Sequence, residues 1–251
     1  MSKVIATFNQ AGGVGKSTVT MNVGHHLALR GHQVLLIDMD PQGSLTTFMG
    51  VELEDGDKTV YDAIVNEEPL PILPKLHKVS LSPTDIGLSA AEIQLVNMDF
   101  REVRLKDAIE PVLKDFDFIL IDCPPSLGIL SYISLIAATH VLIPVETHFK
   151  AFKGTDLLLE TIARVRKKGN RKLQIAGFIP SRYAASNSQD KRTLEAIRSQ
   201  FSVVGRVFDP IPRITAFVDA SEQQVPIAVY SPNHATLTIL DQIAQGMEQL
   251  T

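Results

Sequence analysis

The sequence predicts an α/β protein with three layers, in which a mostly parallel, twisted sheet is covered by helices on both faces. Short apolar segments typical of strands alternate with longer segments of helical periodicity along most of the chain. The strand segments are apolar almost throughout, as expected of strands that are buried on both faces. No repeat, low-complexity segment or linker interrupts this pattern, so we expect residues 1–251 to form a single domain.

The predicted strands are short apolar runs bounded by glycine, proline or aspartate. In chain order they are Lys3–Phe8, Gln33–Ile37, Val79–Pro83, Asp117–Asp122, His140–Val145, Leu173–Pro180 and a short one at Val204–Phe208. Between Val51 and Ser80 the chain is polar, contains several prolines and is only weakly periodic. We expect one short helix there and otherwise loop.

The predicted helices show apolar residues every three or four positions. In the first of them Val19, Val23 and Leu27 share a face, and Gly31 ends the pattern. The helices are Thr18–Arg30, Val60–Asn66, Leu88–Leu113 as one or two helices, Leu130–Ala138, Gly154–Lys168, Asp190–Phe201 and Ala235–Leu250. His25 and His26 lie on the first helix and are interpreted as surface or packing residues.

A glycine-rich segment joins the first strand to the first helix and predicts a nucleotide-binding loop. It runs from Gln10 to Thr18 as Gln-Ala-Gly-Gly-Val-Gly-Lys-Ser-Thr. Such a loop binds phosphates through backbone N–H groups and the helix N-terminus, the lysine reaches the outer phosphates, and the serine hydroxyl can bind Mg²⁺. Gln10 stands where the usual motif has its first glycine. The predicted phosphate-binding residues are Ala11, Gly12, Gly13, Val14, Gly15, Lys16, Ser17 and Thr18.

Carboxylates follow two of the other predicted strands, at the sheet edge where ligands of α/β proteins bind. Asp38 and Asp40 come after the second strand, and Asp122 ends the strand that begins at Asp117. Asp122 corresponds to the aspartate that supports Mg²⁺ in nucleotide hydrolases, with Ser17 and Asp38 as further candidate ligands. Asp38 and Asp40 are candidates for positioning the attacking water, and the sequence does not divide these roles between them. The adjacent Cys123 is interpreted as a small buried residue.

Composition and charge are ordinary for a globular protein, with one local exception. Apolar residues make up 45% of the 251-residue chain, charged residues 21%, and the net charge is −4. Residues 151–200, however, contain 11 Lys and Arg against 4 Asp and Glu. The single cysteine excludes an internal disulfide, and no apolar run reaches the ~18 residues of a membrane span. We therefore expect a cytoplasmic protein without a membrane partner.

Four motifs in order resemble the ParA/Soj partition ATPases of the ParA/MinD superfamily. They are the strings at 12–17 (GGVGKS), 36–43 (LIDMDPQG), 118–128 (FILIDCPPSLG) and 211–213 (IPR), and the similarity extends to 89–97 (SAAEIQLVN). The resemblance covers nearly the whole chain. It implies a Mg²⁺-dependent ATPase that forms an ATP-dependent sandwich homodimer and binds non-specific double-stranded DNA of the nucleoid. It also implies an adaptor protein, ParB-like or McdB-like, that stimulates ATP hydrolysis.

One position departs from the family pattern. The phosphate loop of the family carries a signature lysine that reaches across the dimer, and Ala11 occupies that position here. Three explanations are open: the dimer does without this charge, another cation supplies it, or the residue was changed by mutation. Lys150 is the first candidate substitute and Lys153 the second. Loss of the signature lysine resembles the McdA branch, which positions carboxysomes, and we favour that branch over plasmid or chromosome partition proteins.

The resemblance also suggests residues for adenine and for DNA. Adenine is expected near Pro210, Ile211 and Pro212. Arg213 matches an arginine of the family's Ile-Pro-Arg motif, although Ala216 stands where relatives often have a second arginine. The other DNA candidates come from the basic segment, which by itself also fits a solvated helix end. They are Arg164, Lys167, Lys168, Arg171 and Lys172.

Other members of the superfamily fit less well. A MinD-like membrane ATPase needs a basic amphipathic tail, but Ala235–Thr251 contains no Lys or Arg. A nitrogenase-type iron protein needs more than one cysteine for its cluster. A metabolic enzyme of the dethiobiotin-synthetase type is the strongest alternative, although no further catalytic group is evident. A scaffold with an inactive site is disfavoured because Lys16 and all three aspartates are present.

Overall fold

The fold is organised around one sheet in which the first strand has neighbours on both sides. The computed structural model describes residues 2–251, with residues 149–153 described by their backbone alone. In this part of the chain the sheet has seven strands in the order β3-β4-β2-β5-β1-β6-β7. The strands are β1 Lys3–Thr7, β2 Val34–Asp38, β3 Leu73–Leu76, β4 Val79–Ser82, β5 Phe118–Asp122, β6 His140–Glu146 and β7 Gln174–Ser181.

Six of these strands are parallel, and only β3 runs antiparallel to its neighbour β4. The parallel arrangement brings the carboxyl ends of β1, β2 and β5 to one edge of the sheet. Asp38 is the register partner of Asp122 on β5, and Thr7 of β1 pairs with the same Asp122 from the other side. This edge is where the predicted site residues converge.

Helices cover both faces of the sheet. They are α1 Lys16–Leu29, α2 Ser44–Phe48, α3 Val60–Val65, α4 Leu88–Leu95, α5 Arg104–Ile109, α6 Ile129–Ala137, α7 Phe149–Lys168, α8 Ser188–Phe201, α9 Ala216–Glu222, α10 Ile227–Tyr230 and α11 Thr236–Glu248. Short 3-10 segments at Arg101–Val103 and Glu110–Asp115 flank α5. The long connections between parallel strands place these helices on the sheet, as crossover geometry requires.

The two faces of the sheet have separate hydrophobic cores, and successive strand residues alternate between them. In β2, Leu35 and Ile37 pack with residues of α3 to α8, whereas Val34 and Leu36 pack with residues of α1, α2 and α9 to α11. All four side chains are buried. This double burial explains why the strands are apolar along their whole length and confirms the predicted three-layer α/β class.

Some local predictions were wrong. The segment Val204–Phe208 is not a strand, because its only ladder contact is an isolated bridge between Phe178 and Val207. The edge strand β3 lies in a segment that we expected to be loop. Its hairpin contains Lys75, His77 and Lys78 with positive φ. These residue types seldom adopt that conformation, so the sequence does not predict the hairpin. Of the one or two helices predicted over Leu88–Leu113, the structure has two, α4 and α5, with a 3-10 segment on each side of α5.

No helix among the described residues is long and apolar enough to cross a membrane.

Candidate nucleotide site

The loop between β1 and α1 has the shape that a phosphate group needs. Gly13 and Gly15 have φ values of 74° and 89°, in the left-handed region that side chains other than glycine enter at a cost. Gly15 caps α1, so the helix begins at Lys16, two residues earlier than the sequence predicted. The N-terminus of α1 therefore points its free N–H groups and its partial positive charge into the loop.

Two residues before the loop fix its entry. The Asn9 side chain donates a hydrogen bond to Pro144 O on β6 and accepts one from the backbone N–H of Ala11. The Gln10 amide donates to Gly154 O at 2.9 Å. Gln10, which replaces the usual glycine, therefore connects the loop to α7.

Lys16 lies folded inside the loop. It is buried, and its Nζ donates a hydrogen bond to Ala11 O at 3.0 Å. Burial lowers the pKa of Lys16 from its ordinary value, and the negative charges of Asp122 and Asp40 oppose that shift. Among the described residues the ammonium donates only to this backbone carbonyl, so it can move to a bound phosphate.

Asp38 is completely buried and is already hydrogen-bonded. Its Oδ2 accepts bonds from both the N–H and the hydroxyl of Thr46 at 2.8 Å, and its Oδ1 accepts one from the N–H of Asp40. Burial raises the pKa of Asp38 to about 7, although the Thr46 hydrogen bonds act in the opposite direction. These bonds tie the end of β2 to α2, the segment that follows the second aspartate.

Asp40 lies two residues further on and is nearly buried. Its Oδ1 accepts a hydrogen bond from the N–H of Gln42, which is a turn-forming contact. Aspartate before a proline often has this structural role of stabilising a turn. The second oxygen of Asp40, Oδ2, accepts no hydrogen bond from the described residues, so the turn does not use the whole carboxylate.

Asp122 provides the best test of whether the site suits a cation. Its side chain is 0% exposed, and Thr20 donates to its Oδ1 at 3.5 Å. The nearby Ser17 hydroxyl acts to lower the pKa of this carboxyl group. Asp122 Oδ2 is buried and has no hydrogen-bond partner in the described part of the chain. Burial, followed by the charge of Asp38, raises the pKa of Asp122 well above its ordinary value. An unpartnered carboxylate oxygen beside a serine hydroxyl is a donor set that fits Mg²⁺.

Cys123 is buried next to this site. Burial, followed by the negative charge of Asp122, raises the pKa of its thiol, which therefore stays protonated. This environment is that of an inert packing residue, in agreement with the prediction.

An open cavity of about 540 Å³ adjoins the loop. Its lining includes Gly13 and Gly15 of the loop, Thr18, and the apolar residues Ile211, Pro212 and Phe217. Its size and mostly apolar lining suit a nucleoside placed beside the phosphate loop. Pro210 is not part of the lining, although the neighbouring Ile211 and Pro212 are.

The end of β7 also reaches the loop, which the sequence did not predict. Ser181 Oγ donates to Val14 O at 2.8 Å, and Arg182 Nη1 donates to Gly13 O at 2.9 Å. Each contact joins residues more than 160 positions apart in the chain. No local motif marks either residue, so only the folded topology reveals them.

Comparison with known proteins agrees with this geometry. A family model described as an AAA domain matches residues 2–175. The sporulation initiation inhibitor protein Soj of Bacillus subtilis is 39% identical over 236 residues, covering 92% of each chain. This chain belongs to the ParA/MinD-type family of P-loop ATPases.

Two solved structures of relatives are informative about the site. Apo McdA of Cyanothece superimposes with a TM-score of 0.90 at 26% identity, over 98% of this chain and 100% of that one. Cobyrinic acid a,c-diamide synthase of Mycobacterium smegmatis, solved with ADP and magnesium, has a TM-score of 0.81 at 31% identity, over 89% and 93% of the two chains. Related structures therefore contain both the nucleotide and the metal that the loop of this ParA/MinD-type ATPase suits.

The basic segment of this ATPase lies away from the phosphate loop. Arg164, Lys167 and Lys168 are exposed in the last turns of α7, and Arg171 and Lys172 are exposed in the turn before β7. Because α7 returns antiparallel to the strands, this end of the helix lies at the sheet edge opposite the phosphate loop. Within the described part of the chain, none of these five residues forms an ion pair.

The structure also locates the remaining predicted residues, although Lys150 and Lys153 are described by their backbone alone. Arg213 is exposed and lines the mouth of the nucleotide cavity, a placement that differs from that of the basic segment. The side chains of Lys150 and Lys153 lie outside the described residues. His25 and His26 are both buried, so of the two interpretations offered for them packing is correct.

Proposed function

We propose that this chain is a Mg²⁺-dependent ATP hydrolase whose ATP-bound homodimer binds non-specific double-stranded DNA and thereby positions a cargo on the nucleoid. The observation that supports this best is the pairing of a complete phosphate loop with the unpartnered Asp122 Oδ2, in a member of the ParA/MinD-type family. An orphaned, buried carboxylate oxygen is costly unless a ligand satisfies it. A nucleotide-bound Mg²⁺ would do so.

Each part of the site has a role in this proposal. The backbone N–H groups of the loop hold the phosphates, and Lys16 leaves Ala11 O for the outer phosphates. Ser17, Asp122 and Asp38 would hold Mg²⁺, directly or through water. When bound, the metal neutralises phosphate charge and orients the terminal phosphate. Asp38 and Asp40 position the attacking water and accept its proton.

An apolar surface next to the site supports a dimer. Ile86, Ile93, Val96 and Leu127 are exposed large hydrophobic residues on α4 and the adjoining loops. The loop after β5 lies beside the phosphate loop, because a Cβ placed on Gly12 would be 3.9 Å from Pro125 Cβ. Glu92 of α4 lies against Gly128 of the same loop. Exposed apolar groups so close to the nucleotide favour burial against a second subunit.

Ala11 leaves this dimer without the lysine that crosses between subunits in the resembling family. We propose that Lys150, or failing that Lys153, supplies the missing charge. Lys150→Ala is then expected to reduce both ATP-dependent dimerisation and hydrolysis. Dimerisation is measured by light scattering and hydrolysis by phosphate release. If both activities survive Lys150→Ala and Lys153→Ala, neither lysine replaces the missing signature lysine.

The basic segment is the proposed DNA contact. Arg164, Lys167, Lys168, Arg171 and Lys172 form an exposed run without nearby acids in sequence. Such a run contacts phosphates regardless of base sequence, and its affinity falls steeply with salt. Arg213 is a weaker member of this proposal, since it borders the nucleotide cavity instead.

For the cargo we favour carboxysomes, with an McdB-like adaptor that stimulates hydrolysis. Ala11 and the similarity to Cyanothece McdA support this choice. Partition of a chromosome or plasmid with a ParB-like adaptor is the second candidate, because the 39% identity to Soj favours it. A fluorescent fusion imaged with a carboxysome marker and a chromosomal-origin marker in the native host distinguishes them. Deletion of the gene should abolish the regular spacing of the true cargo, which is the carboxysome if the favoured choice is correct.

Phosphate release from ATP tests the enzymatic part directly. We expect slow turnover that requires Mg²⁺, stops with a chelator, and rises when random double-stranded DNA and the adaptor are added together. ATP consumption that depends instead on a small carboxylic or amine substrate would favour the metabolic-enzyme alternative. No hydrolysis under any of these conditions would contradict the proposal.

A further inference from the structure

The two contacts from the end of β7 fall on consecutive peptide groups of the phosphate loop. Arg182 donates to the carbonyl of Gly13, and Ser181 donates to the carbonyl of Val14. In a trans peptide the C=O of one residue and the N–H of the next point in opposite directions. Holding these two carbonyls toward β7 therefore turns the N–H groups of Val14 and Gly15 away from β7.

Those two N–H groups have no protein acceptor among the described residues. Val14 is itself buried, with 1% of its surface exposed. Buried backbone N–H groups without a partner are rare in native proteins, because an unmade hydrogen bond is costly. Adjacent N–H groups that converge in one direction form an anion-binding concavity.

The backbone at Arg182 is held in a strained conformation that delivers its side chain to the loop. Its φ is 55°, which is unfavourable for a residue with a side chain. Hydrogen bonds fix both neighbours: Thr147 N–H donates to Ser181 O, and Tyr183 N–H donates to Ile211 O. Such strain persists only where the surrounding structure determines it, and it is concentrated at functional sites.

A carboxylate holds the guanidinium from its other side. Arg182 Nε lies 3.6 Å from Glu146 Oε1 at the end of β6. The Arg182 side chain is 43% exposed, whereas Ser181 is buried. Arg182 therefore supports the loop from its solvent-exposed side, and Ser181 supports it from the protein interior.

We propose that Ser181 and Arg182 are positioning residues that hold the phosphate loop in its binding conformation before a nucleotide arrives. The pair acts through the backbone of Gly13 and Val14. Because the N–H groups are already directed inward, the phosphates do not have to reorganise the loop on binding. This inference rests on the proposed nucleotide-binding function and concerns only how the loop is prepared for it.

The test compares ADP with adenosine, which lacks phosphates and can occupy only the adjoining cavity. Dissociation constants are measured by titration calorimetry for the wild type, Ser181→Ala, Arg182→Ala and the double variant. We expect ADP binding to weaken about tenfold in each single variant and more in the double variant, since each loses one hydrogen bond that orders the loop. Adenosine binding should weaken clearly less than ADP binding, even though Ser181 and Arg182 also line the cavity that adenosine occupies.

Conservative and matched variants separate positioning from general stability. Arg182→Lys keeps a cation and should recover part of the affinity for ADP, and Ser181→Thr keeps the hydroxyl and should recover most of it. Arg192→Ala removes an exposed arginine of α8 and should bind ADP like the wild type. If the double variant does not fold, Arg182→Gly tests the arginine alone without backbone strain.

The possible failures are distinguishable. Equal weakening of ADP and adenosine, or unchanged ADP binding in a folded double variant, would overturn the positioning role while leaving the proposed function intact. A wild type that binds no ADP would overturn the proposed function, together with the inference that depends on it.

Discussion

Asp38 and Asp122 are register partners at the ends of two adjacent parallel strands, and both carboxyl groups are 0% exposed. Two carboxyl groups that share one water-free space cannot both ionise readily, and for each of them burial raises the pKa. Only Asp38 has donors enough to satisfy it, through Thr46 and the N–H of Asp40. Asp122 therefore keeps a carboxylate oxygen available for a cation that binds together with the nucleotide.

This pairing predicts a separation of ATP binding from ATP hydrolysis. Asp38→Asn and Asp40→Ala should each bind ATP with an affinity near that of the wild type, because the phosphates are held by the loop. Hydrolysis should fall by about 100-fold or more, since the water loses the group that orients it or accepts its proton. Phosphate release and ATP titration on the same preparation measure both quantities.

Thr46→Ala is the matched control for Asp38→Asn. It removes one hydroxyl from the Asp38 carboxylate but leaves the carboxylate in place. Its turnover should stay well above that of Asp38→Asn. Wild-type turnover in both aspartate variants would show that neither residue acts on the water.

The position of Lys16 predicts a loss of nucleotide affinity on its removal. Lys16→Met should keep the fold, because the ammonium donates to a single backbone carbonyl, that of Ala11, in the described structure. ATP affinity should fall by about 10- to 100-fold, the range of a lost charge-assisted hydrogen bond. Equilibrium dialysis with ATP measures this loss, and unchanged affinity would mean that Lys16 does not reach the phosphates.

The basic segment predicts charge-dependent DNA contacts made by residues that take no part in binding the nucleotide. Lys167→Glu combined with Lys168→Glu should weaken binding to random double-stranded DNA at least about tenfold and reduce its salt dependence. ATP binding should not change, because this end of α7 is remote from the loop. Fluorescence anisotropy at several salt concentrations gives both the affinity and the slope.

Lys75→Glu controls for the change in net charge. Lys75 is exposed on β3, at the sheet edge farthest from β7. A single reversal there should leave DNA binding almost unchanged. If it weakens binding as much as a single reversal at Lys167 does, overall charge and not the basic segment determines the affinity.

A buried histidine predicts how stability depends on pH. His26 is 5% exposed, its Nε2 has no hydrogen-bond partner in the described structure, and burial lowers its pKa to about 4. The positive charges of His25 and Arg30 favour the neutral form as well, whereas Asp241 opposes them. Because the unfolded chain takes up a proton near pH 6.5, the stabilisation is complete above that pH. It is lost as pH falls toward 4, at up to about 1.4 kcal/mol per pH unit.

His26→Leu removes this titration and should flatten the decline. Urea unfolding at pH 7.5, 6.0 and 5.0 measures the free energy of unfolding for both proteins. The wild type should lose more stability than the variant between pH 6.5 and 5.0. Parallel pH profiles would show that His26 does not titrate in the folded protein as described.

The sequence was sufficient for those parts of the site that are encoded in short segments. Gly15, Lys16 and Ser17 are contiguous, and Asp38 and Asp122 end apolar strands, so the parallel sheet brings them together without further information. Ser181 and Arg182 could not be found in this way. Their relation to the loop comes from the position of β7 in the sheet, and a Ser-Arg pair has no spacing that indicates it.

The errors in the predicted strands also have identifiable structural causes. The β3–β4 hairpin depends on positive φ values at Lys75, His77 and Lys78, where the sequence has no glycine. Val204–Phe208 is apolar enough for a strand, but Gly205 packs closely against Ile175 and only one bridge forms. Close packing of this kind is set by the tertiary structure, and propensity does not predict it.

Retention of random double-stranded DNA with ATP, ADP or no nucleotide, at two salt concentrations, tests the central claim most directly. A nucleotide-switched, DNA-binding ATPase should retain DNA only with Mg²⁺ and ATP, and high salt should weaken that retention. Absence of DNA binding in every nucleotide state, or equal binding in all of them, would contradict it.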